Sequence, residues 1–134
     1  MQAYALIHHY YIVSSTYSRD CQVYDITGRR ILDENSDNIT IARITLDLDR
    51  GIYHRNFNME KLERLLKDHG QEVEREIDMP REEWFVLRSK IPGISARLLA
   101  EKYNMEELTE YQNRSRREID KKRGFIFYQK TIPF

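Results

Sequence analysis

The sequence predicts an α+β fold in which a small antiparallel sheet packs against about four helices. Hydrophobic residues make up 40% of the 134-residue chain and charged residues 33%, a composition typical of a folded globular protein. The N-terminal part is rich in β-branched and aromatic residues separated by turn signals. From Asn58 onwards, apolar residues recur at helical spacing. We therefore expect three N-terminal strands and one C-terminal strand in the sheet.

Three N-terminal segments have the composition of strands. Residues 3–15 are rich in Tyr, Ile and Val, residues 22–26 form a shorter run, and apolar and polar residues alternate in 39–48. Thr27-Gly28 marks a turn, and the polar run 33–38 is typical of a loop. Together these segments predict an antiparallel meander.

Four helices are predicted between residues 58 and 123. Asn58 is the candidate N-cap of the first helix, and Gly70 is its C-terminal stop. Pro80 suits the first turn of a second helix, which runs towards Lys90. Ser95 is the candidate cap of a short third helix.

The fourth predicted helix is the longest and begins at Asn104. Glu107 completes a capping box, and cations followed by Gly124 mark the C-terminal end. Residues 124–134 then predict a closing strand. We expect one domain over residues 1–134, with a strand-rich part (1–57), a helical part (58–123) and this closing strand.

Composition narrows the possible classes of function. The sequence has neither a long apolar run nor a secretory signal pattern, so we expect a cytoplasmic protein. Cys21 is the only cysteine, which excludes an internal disulfide. The net charge is zero, but residues 58–84 hold five basic and nine acidic side chains, whereas 112–134 hold seven basic and two acidic. The basic C-terminal part is the candidate contact for a polyanion.

In residues 80–103, two predicted helices flank the sequence Ile91-Pro92-Gly93-Ile94-Ser95. This segment resembles a helix-hairpin-helix module, and Gly93 matches the first glycine of that family's hairpin. The resemblance implies that backbone N–H groups at a helix start contact a DNA phosphate, through Gly93, Ser95 and Arg97. The sequence departs from the pattern at Ser95, which replaces the second glycine, and at Leu99, which replaces a small residue. A capped turn between two core helices is the alternative interpretation.

A helix-turn-helix is a second interpretation of the same region. Ser95 to Tyr103 would be the supporting helix, and the helix from Met105 onwards would read the nucleic acid. Asn104 stands where a turn glycine is usual, so this interpretation ranks below the hairpin.

The fourth predicted helix is rich in cations and carries the amides Gln112 and Asn113. This mixture of side chains is typical of proteins that contact phosphates and base edges. A solvated helix whose cations complement its own C-terminal dipole is the alternative. The cations are Arg114, Arg116, Arg117, Lys121, Lys122 and Arg123.

The sequence thus favours a non-enzymatic accessory protein that binds DNA or RNA. We expect it to need neither a cofactor nor a bound metal. One alternative is a protein-binding adaptor or inhibitor that uses the acidic segment 60–83 and an exposed Trp84. Another is a small metal-dependent nuclease in which Asp47 and Asp49 share one strand face, with Asp25 or His54 as a third ligand.

Overall fold

The structure is a computed structural model that describes residues 1–15, 20–35 and 41–124. Within these residues it has four helices and two three-stranded antiparallel sheets, which confirms the predicted α+β class and corrects the single sheet to two. The chain divides into two compact units, Met1–Asp47 and Leu48–Phe134. The expectation of one domain over residues 1–134 stays a prediction.

The first unit combines a short helix with a meander of three strands. Its elements are α1 (Gln2–His8), β1 (Ile12–Ser15), β2 (Asp20–Tyr24) and β3 (Arg30–Asn35). The strands lie in the order β1-β2-β3, and neighbours pair antiparallel. The strand predicted over 3–15 is wrong in its first half, because His9 ends a helix there with φ 54° and donates its N–H to the Ala5 carbonyl. An apolar run without a clear period is compatible with either element.

Strand β3 occupies part of a segment that the sequence assigns to a loop. Asp25 Oδ1 accepts a 2.9 Å hydrogen bond from the Thr27 N–H in the turn between β2 and β3. On the exposed side of this hairpin, Gln22 Nε2 donates to Asp33 Oδ1 over 3.2 Å. Residues 33–35 are therefore strand, because they pair antiparallel with residues 20–22 of β2. The rest of the predicted loop lies outside the described residues.

The third predicted strand, 39–48, is absent over its described part. Residues 41–47 form neither strand nor helix, and Ile41 and Leu48 are 81% and 72% exposed. Alternating polarity supplies the period of a strand, but a strand also needs a neighbour to pair its backbone. The alternation of polar and apolar residues is therefore not enough to make this segment a strand.

The second unit packs helices against one antiparallel sheet. Its elements are β4 (Gly51–His54), α2 (Met59–His69), β5 (Val73–Met79), β6 (Trp84–Ser89), α3 (Ala96–Lys102) and α4 (Leu108–Lys122). The strand order is β4-β6-β5. Phe85 and Leu87 of the central strand are fully buried and share a core with Leu62 and Leu65 of α2 and Ala100 of α3. No described helix is long and apolar enough to cross a membrane.

The second predicted helix, residues 80–90, is wrong. The segment is a turn followed by β6, with the Glu83 N–H hydrogen-bonded to the Pro80 carbonyl and Glu83 at φ 61°. Proline suits the start of a turn as well as the start of a helix. The run of buried residues that follows is typical of a central strand covered on both faces.

Helices α2, α3 and α4 confirm the other three predicted helices. Ser95 caps α3, since its Oγ accepts a 3.1 Å hydrogen bond from the Leu98 N–H. Asn104 does not cap α4; Glu107 takes that position, and Asn104 adopts a left-handed conformation, φ 54°, in the turn before it. Apart from Gly124, the predicted closing strand lies outside the described residues.

Candidate nucleic-acid interface

Helix α4 presents the predicted cations to solvent. Its start is anchored, because Leu108 is buried and Glu107 bridges to Tyr53 of β4. From Gln112 to Arg123 most side chains are exposed, and even Ile119 is 49% accessible. The basic segment of α4 is therefore mostly exposed to solvent rather than packed in the core.

The six cations differ in their intramolecular partners. Arg114 forms a bidentate pair with Glu106, from Nε over 2.9 Å and from Nη2 over 3.0 Å. Lys121 pairs with Glu118 over 2.9 Å and lowers the pKa of that carboxyl. No acidic side chain within the described ranges pairs with the other four cations. These are Arg116, Arg117, Lys122 and Arg123.

The cations lie along more than one side of the helix. Arg114, Arg117 and Lys121 follow each other at helical spacing and line one groove of about 470 Å³. Arg116 and Arg123 are seven positions apart, so they share a different side. A helix with cations on two sides can contact phosphates on either side of its axis.

The turn before α3 has a different role from the one implied by the helix-hairpin-helix resemblance. Asp49 accepts hydrogen bonds from Ser95 Oγ and from the Ala96 N–H, both over 2.6 Å. Its carboxylate therefore occupies the helix start that a phosphate would use. Arg97 pairs with Glu107 over 3.1 Å. Gly93 adopts φ 84° with open space around it, as a turn glycine does.

The strand β6 also stands where the resemblance requires the first helix. The segment 80–103 is consequently a turn, a strand, a second turn and one helix. Three of the predicted contact residues thus have roles within the protein. Gly93 is a turn glycine, Ser95 caps α3 and Arg97 pairs with Glu107.

A closed ring of interacting side chains lies at the start of α4. His54 Nε2 is 3.0 Å from Glu106 Oε2, and Glu106 also holds Arg114. The Arg114 guanidinium lies 5.4 Å from the centre of the Tyr111 ring, and that ring is 4.3 Å from the His54 ring. These interactions join β4 to α4, so Arg114 has a positioning role inside the protein.

Asn58 fixes the backbone of two members of this ring of side chains, His54 and Glu106. It is fully buried, and its Nδ2 donates to the carbonyls of His54 and Glu106, each over 2.8 Å. Its Oδ1 accepts from the Glu106 N–H over 3.1 Å. Asn58 stands at the predicted N-cap position of α2, but its side chain makes no capping hydrogen bond and fixes the backbone of two other segments.

The protonation of His54 follows from its surroundings. Burial lowers its pKa below the ordinary 6.5, although the Glu106 carboxylate acts in the opposite direction. Hydrogen bonds from Arg114 hold the pKa of Glu106 below 4.5, so this carboxylate is ionised and only accepts. The His54 proton therefore lies on Nε2, and Nδ1 is a buried acceptor that has no partner within the described residues.

A pocket of about 640 Å³ opens beside His54. Tyr111, Leu108 and Gln112 of α4 line it, together with residues of the loop after β4, the first residue of α2 and the turn before β6. These are Arg55, Asn56, Met59, Glu82 and Glu83. The residues that line the pocket are far apart in sequence, so sequence reasoning did not find it.

The residues of the predicted metal site have other partners. Asp49 caps α3, and Asp25 Oδ1 accepts from Thr27 Oγ1 over 2.7 Å as well as from the turn backbone. Asp47 lies in a segment without strand structure. Across the part of the chain that is described, no group of three or more His, Cys, Asp or Glu residues is arranged for a metal ion.

Trp84, predicted as an exposed anchor for a protein partner, is only 6% accessible. Its Nε1–H donates to Glu82 over 2.9 Å. Several carboxylates of the acidic segment are also paired, including Glu74 with Arg88 and Glu76 with Arg50. The expected protein-binding anchor is therefore corrected to a core residue.

Comparison of the chain with protein-family models, curated proteins and solved structures gives no match.

Proposed function

We propose that this protein binds nucleic acid, without transforming it, through the exposed surface of α4. One observation carries the proposal: Arg116, Arg117, Lys122 and Arg123 are exposed and form no direct ion pair among the described residues. Unpaired cations concentrated on one element attract a polyanion even when the whole chain has zero net charge.

The internal pairs of α4 refine which cations make the contacts. Arg114 is held by Glu106 and Tyr111, so it orients the start of the helix. Lys121 forms an exposed pair with Glu118, and such pairs contribute little and exchange easily for a phosphate. The proposed interface therefore consists of Arg116, Arg117 and the Lys121–Arg123 run.

The test is fluorescence anisotropy with labelled single- and double-stranded DNA and RNA across a salt series. A variant with Arg116, Arg117 and Arg123 replaced by Ala should bind more weakly. Its log–log salt slope should fall by about one for each phosphate that the variant no longer neutralises.

The matched control replaces Arg64, Arg81 and Lys102 with Ala, which removes the same charge from other exposed positions. This control should keep nearly wild-type affinity. Equal weakening in both variants would contradict α4 as the interface, and no binding at low salt would contradict the proposal. A partner captured by pull-down after nuclease treatment would then favour the protein-binding alternative.

A further inference from the structure

Exposed apolar side chains are concentrated in the first thirteen residues. Of the twelve large hydrophobic residues that are exposed in the described part of the chain, six lie within residues 1–13, and the other six are scattered between residues 41 and 119. Tyr4, Ile7 and Tyr10 are 63%, 67% and 61% exposed. Single exposed apolar residues are ordinary, whereas a concentration of them marks an interaction site.

Helix α1 has apolar residues on more sides than the structure covers. Tyr4 contributes the only polar side-chain atom between Ala3 and Ile7, yet Ala5 is the one buried residue of this helix. Its C-terminal end is held by His9, whose Nδ1 donates to the Ile26 carbonyl over 3.0 Å. A helix that is hydrophobic all round is usually buried on all sides. The side of α1 opposite Ala5 therefore lacks a covering surface among the described residues.

Three side chains on this side form a stacked ladder. The Tyr4 and His8 rings are 6.1 Å apart with 18° between their planes, and the His8 and Tyr10 rings are 5.9 Å apart with 20°. Stacked rings restrict one another's rotamers, so less conformational entropy is lost when a partner packs on them. Ile7 and Met1 lie three positions to either side of Tyr4 and adjoin the ladder. We call these five residues the α1 face.

The α1 face has about the area that a dimer interface needs. With about 200 Å² for each aromatic or long apolar side chain, its exposed fractions amount to on the order of 600 Å². Two copies that meet through it would bury about 1,200 Å² in total, the lower end of stable, specific interfaces. In a twofold dimer one surface serves both copies, so no second complementary surface is needed.

The charge of this region favours a second copy over a charged partner. Residues 1–15 contain no Asp, Glu, Lys or Arg, although these residues make up 33% of the chain. The α1 face therefore offers no carboxylate, ammonium or guanidinium group to a nucleic acid, a charged peptide or lipid headgroups. Two such surfaces bury each other without leaving one of these charges unpaired. A chain of zero net charge also does not repel its own copies at long range.

We propose that the α1 face joins two copies of this chain in a symmetric dimer. Tyr4 and Tyr10 are the anchors, since tyrosine is enriched among the residues that dominate interface energies, and Ile7 adds apolar area. The inference does not depend on the proposed nucleic-acid binding, because α1 and α4 belong to different units of the chain.

The test is sedimentation equilibrium of the intact chain over a concentration series. The mass should rise from that of one chain to that of two, with a Kd on the order of micromolar, as small interfaces give. Ile7→Arg places a charge in the α1 face and should weaken association by about tenfold or more. The matched control, Leu98→Arg, changes a residue of α3 that is 62% exposed, and it should associate like wild type. Both variants should keep the wild-type circular dichroism spectrum.

A second measurement locates the contact by NMR. In a dilution series of ¹H–¹⁵N spectra, the amide signals of residues 2–10 should shift with concentration, and those of α2 should not. Concentration-dependent shifts confined to α2, α3 or α4 would place the contact elsewhere and overturn the inference.

Other occupants of the α1 face give different results. A chain that stays monomeric up to about 500 µM would overturn the inference, as would association that Ile7→Arg leaves unchanged. A monomer that Ile7→Arg destabilises more than Leu98→Arg does would overturn it in favour of a cover supplied by another segment of the same chain. A monomer that sediments with phosphatidylcholine vesicles, and loses this property in Ile7→Arg, would overturn it in favour of a lipid surface.

Discussion

The Nε2 atom of His54 lies 3.0 Å from Oε2 of Glu106, although the two residues are 52 positions apart in the chain. The contact joins a strand of the sheet to the loop that leads into the basic helix. Since Glu106 also holds Arg114, the orientation of α4 depends on this pair. The proposed interface and the pocket are thus connected through one carboxylate.

Stability should fall on mild acidification because of His54. Its folded-state pKa is below 6.5 through burial, so the unfolded chain binds a proton more readily. The free energy of unfolding should therefore decrease as pH falls from about 6.5 towards the folded-state pKa. Urea unfolding of wild type and His54→Gln between about pH 5 and 7.5 measures it, and the variant should lack this component. The His69→Gln control should retain this pH-dependent loss of stability. A wild-type protein that gains stability relative to His54→Gln as the pH falls would contradict the assignment.

Removal of the Asn58 side chain should destabilise the second unit. Asn58→Ala removes three hydrogen bonds to buried or partly buried backbone groups of His54 and Glu106. The free energy of unfolding should drop by about 2–3 kcal/mol, the cost of unsatisfied buried polar groups. Chemical denaturation checks this value. The exposed Asn113→Ala variant should change stability by no more than about 0.5 kcal/mol, and equal effects would show that the Asn58 contacts are not structural.

Asp49 should stabilise α3 in the absence of any metal. Asp49→Ala removes the acceptor of the Ser95 hydroxyl and the Ala96 N–H. The expected loss is about 1–2 kcal/mol, as for other helix caps. Glu63→Ala, at an exposed position of α2, is the control. If Asp49→Ala lowers the free energy of unfolding only when Mg²⁺ or Mn²⁺ is present, Asp49 is a metal ligand and the nuclease alternative regains support.

Asn104 should be replaceable by glycine but not by alanine. Its φ of 54° is unfavourable for residues with a Cβ, and Asn tolerates it better than most. Asn104→Ala should cost about 1 kcal/mol, whereas Asn104→Gly should be nearly neutral. Thermal unfolding distinguishes the two. A glycine variant less stable than the alanine variant would argue that the Asn104 side chain, not its backbone, is important.

Local sequence patterns were sufficient for the elements that carry their own signals. The stripe of Leu62 and Leu65 and the cap at Ser95 predicted α2 and α3 correctly, because these signals act within a few residues. They also placed the cations of α4 on one helix. The same patterns were ambiguous for residues 3–15 and 80–90, where apolar runs suit a helix or a strand.

The pairing of distant segments settled the remaining features. Strand β6 exists because β4 and β5 pair with its two edges, and no local signal in residues 84–89 specifies those neighbours. Asn58, His54 and Glu106 come together only when β4 and α4 pack. None of these three residues carries a distinctive signal in the sequence. In the fold, burial lowers the pKa of His54 and leaves its Nδ1 without a hydrogen-bond partner among the described residues. Hydrogen bonding and desolvation depend on spatial neighbours, which the order of residues along the chain does not reveal.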